Sequence, residues 1–176
     1  EMGAFVTEVA KGFDEVAKER NIHFQVDNLA GNEKAWIDRD CVEKIIFNLL
    51  SNAFKYTPEG KNITVLVRKE QNNGVSVEVK DEGVGISAEK LKRLFARFVS
   101  FNDDKSKPST GIGLSMIKEL ADRHHATIDV VSEPDKGSSF KVTFLPGFDH
   151  YEEEVEIIMN AVKPGDFEAK DSEKDR

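Results

Sequence analysis

The sequence predicts an α/β fold, a two-layer sandwich with a mixed sheet covered on one face. Three observations support this. Apolar residues recur at helical spacing in several segments. Alternating, β-branched segments come in pairs separated by turn residues. These pairs are themselves separated by helical segments, so strands and helices must share one core.

Phe5, Val9, Phe13, Val16 and Ala17 repeat on one helical face, predicting an amphipathic helix over 4–20. Ile22, Phe24 and Val26 alternate as a strand, and Ala35 to Ile37 suggest a second short one. Asp38 or Asp40 can cap the next helix, with Glu43 three residues after Asp40. That helix runs to about Tyr56 and stops at Thr57-Pro58-Glu59-Gly60. Segments 63–69 and 75–80 flank Gln71-Asn72-Asn73-Gly74, and Asn-Gly between alternating segments is a strong hairpin signal. Helices follow over 88–96 and 112–125, with a polar stretch at 100–110 between them. A final hairpin pairs 127–132 with 138–145, and Pro146-Gly147 closes the body.

With 176 residues the chain can bury a core without disulfides. Its single cysteine, Cys41, excludes an internal disulfide and reads as a small core residue. No apolar run approaches the roughly 20 residues of a membrane span, and the charged N-terminus shows no apolar signal segment. Net charge is −8. Residues 147–176 carry ten acidic and four basic side chains, so the body is nearly balanced. There is no basic stripe of the kind nucleic-acid binding needs. In the tail, Tyr151, Val155, Ile158, Met159 and Val162 share a helical face, while 164–176 read as a charged linker.

Four stretches carry chemistry. In Asn48-Leu49-Leu50-Ser51-Asn52-Ala53-Phe54-Lys55-Tyr56, the polar residues Asn48, Asn52 and Lys55 fall on one face. An amide oxygen suits a magnesium ion that already holds triphosphate and water, and lysine offers a point charge to phosphate. In Asp81-Glu82-Gly83-Val84-Gly85-Ile86, a buried carboxylate can accept from the exocyclic amine of adenine. Guanine presents a carbonyl oxygen there, so Asp81 would select ATP over GTP. Ser109-Thr110-Gly111-Ile112-Gly113-Leu114-Ser115 opens a helix whose N–H groups can bind phosphate. Lys136-Gly137-Ser138-Ser139-Phe140 turns into the last strand. Each stretch alone is also compatible with a purely structural role: a polar helix face, a strand-to-helix turn, a helix start, a hairpin.

In this order and spacing they resemble the nucleotide-binding boxes of the histidine kinase catalytic domain, within the gyrase/Hsp90/histidine kinase/MutL ATPase superfamily. The resemblance covers about residues 20–146 and implies the Bergerat ATP-binding fold. It implies ATP and Mg2+ as cofactors, with Asn52 as the metal ligand. Asn48, Lys55 and Tyr56 match nucleotide contacts, Asn48 and Lys55 being the catalytic candidates. Asp81 matches the adenine-reading carboxylate, beside Gly83, Gly85 and Ile86. Phe95 and Phe98 match the phenylalanine box, and Thr110, Gly111, Ile112, Gly113 and Leu114 the phosphate loop. Ser139 matches a hydroxyl that helps Asp81 hold adenine. Residues 100–110 are expected to form an ATP lid.

The resemblance further implies transfer of the γ-phosphoryl group to a histidine on a separate dimerisation domain. Hydrolysing relatives carry glutamate where Asn48 stands, and an amide cannot activate water as a base. None of His23, His124, His125 and His150 is followed by an acidic residue, so none is an acceptor candidate. The acceptor is expected upstream of Glu1, with residues 1–20 as its connector, and a response regulator receiver domain as a further partner. The domain is expected to be cytoplasmic and monomeric in isolation. Its parent is expected to be a homodimer anchored in the inner membrane, continuing beyond the tail into a further domain, as in a hybrid kinase. Two departures keep other readings open: Val99-Ser100 replaces the usual aromatic-arginine pair, and Ser109 a usual glycine. The alternatives are an anti-sigma-type serine kinase and a catalytically weak nucleotide-binding module.

Overall fold

The computed structural model describes residues 1–96 and 112–151. Five strands form one sheet in the order β1-β2-β3-β5-β4. They are β1 (His23–Asn28), β2 (Asn62–Lys69), β3 (Val75–Asp81), β4 (Thr127–Glu133) and β5 (Gly137–Phe144). β1 runs parallel to β2, and the other pairs are antiparallel, so the sheet is mixed as expected. The helices are α1 (Met2–Lys11), α2 (Asp14–Glu19), α3 (Arg39–Tyr56), α4 (Ala88–Leu91) and α5 (Gly113–Arg123). Among the described residues no helix is long and apolar enough to cross a membrane.

Strand register sorts the side chains. Ile63, Val79 and Phe140 lie on the same face as Val65, Val77 and Val142, since paired residues share a face and alternate ones return to it. All six are buried in one cluster with Ile45, Ile46, Leu49 and Leu50 of α3 and Ile117 of α5. The opposite face carries Thr64, Lys80, Glu78, Ser139, Lys141 and Asp129, and Arg68 pairs with Glu78 across it at 3.2 Å. One apolar and one charged face is what a sheet covered on one side requires.

The predicted helix over 4–20 is two helices. The Gly12 N–H bonds Val9 O and the Phe13 N–H bonds Ala10 O, closing α1 with tighter turns. Glycine is a poor helix former, and the break lets the Phe13 ring sit 5.3 Å from both Phe47 and Phe54. α1 and α2 are part of the body: Phe5, Val6, Ala10 and Ala17 belong to the same core cluster. Ala35 to Ile37 are not a strand. Backbone groups beside them meet side chains instead, Trp36 O accepting from Tyr151 Oη at 2.6 Å and the Asp38 N–H donating to His124 Nε2 at 3.1 Å. The helix expected over 88–96 is α-helical only over four residues. Beyond Leu91 the N–H groups of Arg93, Leu94 and Ala96 each reach back three residues, which buries Leu94.

α3 is fixed at both ends. Of the two candidate caps Asp38 is the one used, its Oδ1 accepting from the Cys41 N–H at 3.1 Å. The Arg20 guanidinium donates to the carbonyls of Phe54 and Thr57, the latter at 2.9 Å. These carbonyls lie at the negative end of the helix, where a cation is favourable. Replacing Arg20 by Met, which keeps the aliphatic stem, should cost about 1–3 kcal/mol of stability. A urea denaturation midpoint unchanged in Arg20→Met would contradict this account of how α3 ends.

Candidate functional site

The site lies where the C-terminal ends of α3 and β3 meet the start of α5 and the β4–β5 turn. α3 divides its residues by face. Leu49, Leu50 and Ala53 are buried, while Asn48, Asn52, Lys55 and Tyr56 are partly exposed on the side away from the core. The Asn48 Nδ2 donates to Lys44 O at 2.7 Å, one turn back. This leaves its Oδ1 facing α5, where a Cβ placed on Gly113 would lie 3.2 Å away. Residues 65 apart in sequence are thus brought together, as the candidate site requires. Lys55 Nζ sits over the Tyr56 ring at 5.3 Å from its centroid.

Asp81 ends β3 on the core face, paired with Ile63 on one side and Ser138 on the other. Its Oδ1 accepts from the Gly83 N–H at 2.8 Å. Burial pushes the Asp81 carboxyl above its ordinary range, and the N–H groups of Gly83 and Ser138 oppose that shift without cancelling it. The backbone around it is crowded. A Cβ on Gly83 would fall 2.7 Å from both Asp81 Oδ1 and Tyr56 O. Gly85 has φ +68°, and a Cβ there would meet Glu133 O at 1.9 Å. The loop is tied down by the Val84 N–H donating to Tyr56 O at 3.3 Å and the Asp135 N–H to Val84 O at 2.8 Å.

At the start of α5, Ile112 is exposed, and Gly113, Leu114 and Ser115 form the first turn. The N-cap residue Ile112 offers no side-chain cap. The first N–H groups of a helix have no partner within it, and they carry partial positive charge toward an anion. Leu114 packs partly against the core and so anchors the turn. Phe95 also packs against the core. Phe98, Thr110 and Gly111, the expected lid and the expected tail helix lie outside the described residues.

One sequence assignment is overturned. Ser139 does not share a face with Asp81; it pairs with Lys80 and donates to Glu78 Oε1 at 2.6 Å on the opposite side of the sheet. Ser138 is the hydroxyl on the Asp81 face. In a strand a shift of one residue reverses the face, and two adjacent serines conceal that shift in the sequence. Gly137 and Ser132 also lie beside Asp81 and its loop, though neither is among the residues the resemblance matches. A Cβ on Gly137 would meet Asp81 O at 1.9 Å, so β5 approaches Asp81 only because that position is glycine. The Lys136-Gly137 turn signalled this, whereas nothing in the sequence marked Ser132. His124, placed by its sequence at a helix end, is buried. It joins that end to α3, its Nδ1–H donating to Leu120 O at 2.7 Å while Nε2 accepts from Asp38 N–H.

Among the described residues no three His, Cys, Asp or Glu side chains converge on a metal position. A metal here would rest on neutral amide oxygen and on oxygens brought by its ligand. The polar face of α3, carrying Asn48 and Asn52, fits that kind of hard-cation site. A cleft lined by His23, Gln25, Asn62, Thr64 and Glu82 lies at the β1–β2 end of the sheet and shares none of these candidate residues.

Residues 37–147 match the family described as histidine kinase-, DNA gyrase B-, and HSP90-like ATPase. The chain belongs to that family. A histidine kinase of Formosa agariphila is 34% identical over 161 residues, covering 89% of this chain and 12% of the relative. The adaptive-response sensory kinase SasA of Microcystis aeruginosa is 35% identical over 136 residues, covering 77% of this chain and 35% of its own length. The chain therefore spans about a third or less of these relatives. The catalytic domain of the histidine kinase ThkA superposes with a TM-score of 0.71 at 24% identity, covering 81% of this chain and 90% of that one. Full-length ShkA, solved in complex with AMPPNP, gives 0.73 at 21% identity, covering 82% of this chain and 30% of that one. These neighbours show the same fold, the five-stranded mixed sheet with its helices.

The raised Asp81 carboxyl has a consequence for stability. A group that holds its proton more tightly folded than unfolded costs stability once pH rises above its unfolded value, near 3.8. Asp81→Asn, which keeps an oxygen for the Gly83 N–H, should therefore raise the melting temperature at pH 7–8. The gain should shrink as pH falls below the ordinary carboxylate range. Scanning calorimetry at pH 8 and pH 4 that found Asp81→Asn equally destabilised at both would contradict the burial cause.

Proposed function

We propose that this chain binds Mg-ATP and presents the γ-phosphoryl group to a histidine on a separate dimerisation domain of a two-component sensor kinase. The observation that carries the reading is the convergence of two unlike subsites. One is a half-buried carboxylate, Asp81, held by backbone N–H groups among glycines where a flat base would fit. The other is the amide face of α3 against the start of α5, where phosphates would fit. The AMPPNP bound to ShkA and the histidine kinase names of the relatives support it.

Asp81 would accept from the adenine amine, and Gly83 and Gly85 would let the backbone lie along the base. Asn52 would hold magnesium, which when bound neutralises charge on the phosphate oxygens. Lys55 and the N–H groups of Gly113, Leu114 and Ser115 would add positive potential. Asn48 sets the reaction type: its amide orients by hydrogen bonding but cannot take a proton from water. The site would keep ATP for a protein nucleophile. The histidine-bearing domain and a response regulator receiver are the implied partners, and the parent would be a membrane-anchored homodimer with this domain on its cytoplasmic side. A weak nucleotide-binding module remains the second reading, favoured by Val99-Ser100 at the place of the usual arginine.

Loss of the metal's amide ligand should separate metal from base. Asn52→Ala should weaken Mg-ATP binding on the order of tenfold or more, while metal-free ADP binds nearly as before. Isothermal titration with and without magnesium reads both, and an unchanged magnesium dependence would remove Asn52 from the role.

The transfer step is tested by mixing this chain with the histidine-bearing helical domain of its parent and radiolabelled ATP. Label should appear on the added histidine and not on residues 1–176, with slow phosphate release in the chain alone. Binding without transfer would favour the second reading, and self-labelling of His23, His124, His125 or His150 would contradict the placement of the acceptor.

A further inference from the structure

Ser132 sits on β4, outside every stretch that carried chemistry in the sequence, yet its hydroxyl meets three partners. The Ile86 N–H donates to its Oγ at 2.8 Å. Its Oγ lies 3.0 Å from Gly137 O and 2.8 Å from Ser138 Oγ. A serine hydroxyl has one proton and two lone pairs. A carbonyl oxygen can only accept, so the one proton of Ser132 goes to Gly137 O. Ile86 N–H takes one lone pair, and the Ser138 contact is then satisfied only if Ser138 donates to the other. This is the single assignment that makes all three bonds.

The consequence falls on Ser138. With its only proton committed to Ser132, its oxygen keeps lone pairs alone for anything that approaches. Ser138 pairs with Asp81 and shares its face of the sheet, and its N–H is one of the two groups holding the Asp81 carboxylate. Two acceptors then stand side by side. We infer that Ser132 is a specificity-positioning residue, which orients the Ser138 hydroxyl as an acceptor beside Asp81, so that a 6-amino purine is accepted and a 6-oxo purine refused. The inference rests on the adenine reading of Asp81 proposed above. A donor-bearing edge meets both oxygens favourably, directly or through water, whereas a carbonyl faces two acceptors at once. Without Ser132 the Ser138 hydroxyl turns freely and can donate to that carbonyl.

The test measures ATP and GTP dissociation constants, with magnesium, for residues 1–176 carrying Ser132→Ala, Ser138→Ala and both. Ser132→Ala should lower the preference for ATP by about tenfold, equivalent to about 1.4 kcal/mol, with GTP binding as well as or better than before. A merely structural defect would weaken both nucleotides together. In the Ser138→Ala background, Ser132→Ala should change the preference little further, because its effect passes through Ser138. A preference within about threefold of the parent chain in Ser132→Ala, or an equal loss in the Ser138→Ala background, overturns the inference. Should Ser132→Ala fail to fold, Ser132→Thr must keep the preference and Ser132→Cys, a weak donor and acceptor, must lower it; identical behaviour of the two overturns it as well. If the parent chain itself binds ATP and GTP equally, the adenine reading of Asp81 fails, a result distinct from failure at Ser132.

Discussion

α3 has two obligations, and the candidate site depends on both being met. One face must bury Val42, Ile45, Ile46, Leu49, Leu50 and Ala53 against the sheet. The other must hold Asn48, Asn52 and Lys55 at a fixed height beside α5. Helical geometry links the two, since a rotation that exposed the apolar face would carry the amides away from Gly113. Each fully buried aliphatic side chain contributes on the order of 1.5–3 kcal/mol, so the apolar face sets the rotation and the polar face follows. The ends set the height. Asp38 caps the start, His124 joins that start to α5, and Arg20 gathers the last carbonyls.

This explains which parts were legible in the sequence. The split of α3 into two faces shows as plain periodicity, because Asn48, Asn52 and Lys55 recur at the spacing opposite the apolar residues. The two antiparallel hairpins show through alternation and turn residues. Ala35 to Ile37 read wrongly because an extended segment and a strand look alike in sequence. Only tertiary partners, here His124 and Tyr151, decide where the backbone bonds go. The helix over 4–20 read wrongly at Gly12, where the apolar period continues but the backbone turns so that Phe13 can stack on Phe54.

The serine pair teaches a sharper version of this. Ser138 and Ser139 are the same residue type, so composition and motif spacing cannot tell which one faces Asp81. Register tells at once: Asp81 pairs with Ser138, and Lys80 with Ser139. Ser132 was less accessible still, because its importance lies in three hydrogen bonds to segments 46, 5 and 6 residues away. No short pattern encodes a contact whose partners come from a distant loop and from the facing strand of a hairpin.

Asp81 shows why such a site needs so much backbone around it. A carboxylate that is half out of water loses hydration, and its raised proton affinity records that loss. Two N–H groups recover part of it. Full compensation would leave no lone pair wanting a donor, and complete exposure would leave the oxygens satisfied by water. Partial burial with partial compensation leaves an acceptor that gains by meeting a donor and loses by meeting another acceptor. The closeness of Gly83, Gly85 and Gly137 makes that state possible, since any Cβ at these positions would collide with the backbone or carboxylate that holds Asp81 in place. A carboxyl held partly out of water, hemmed in by backbone that glycine alone lets approach, is the physical basis for proposing that this end of the sheet is a binding site and not only a turn.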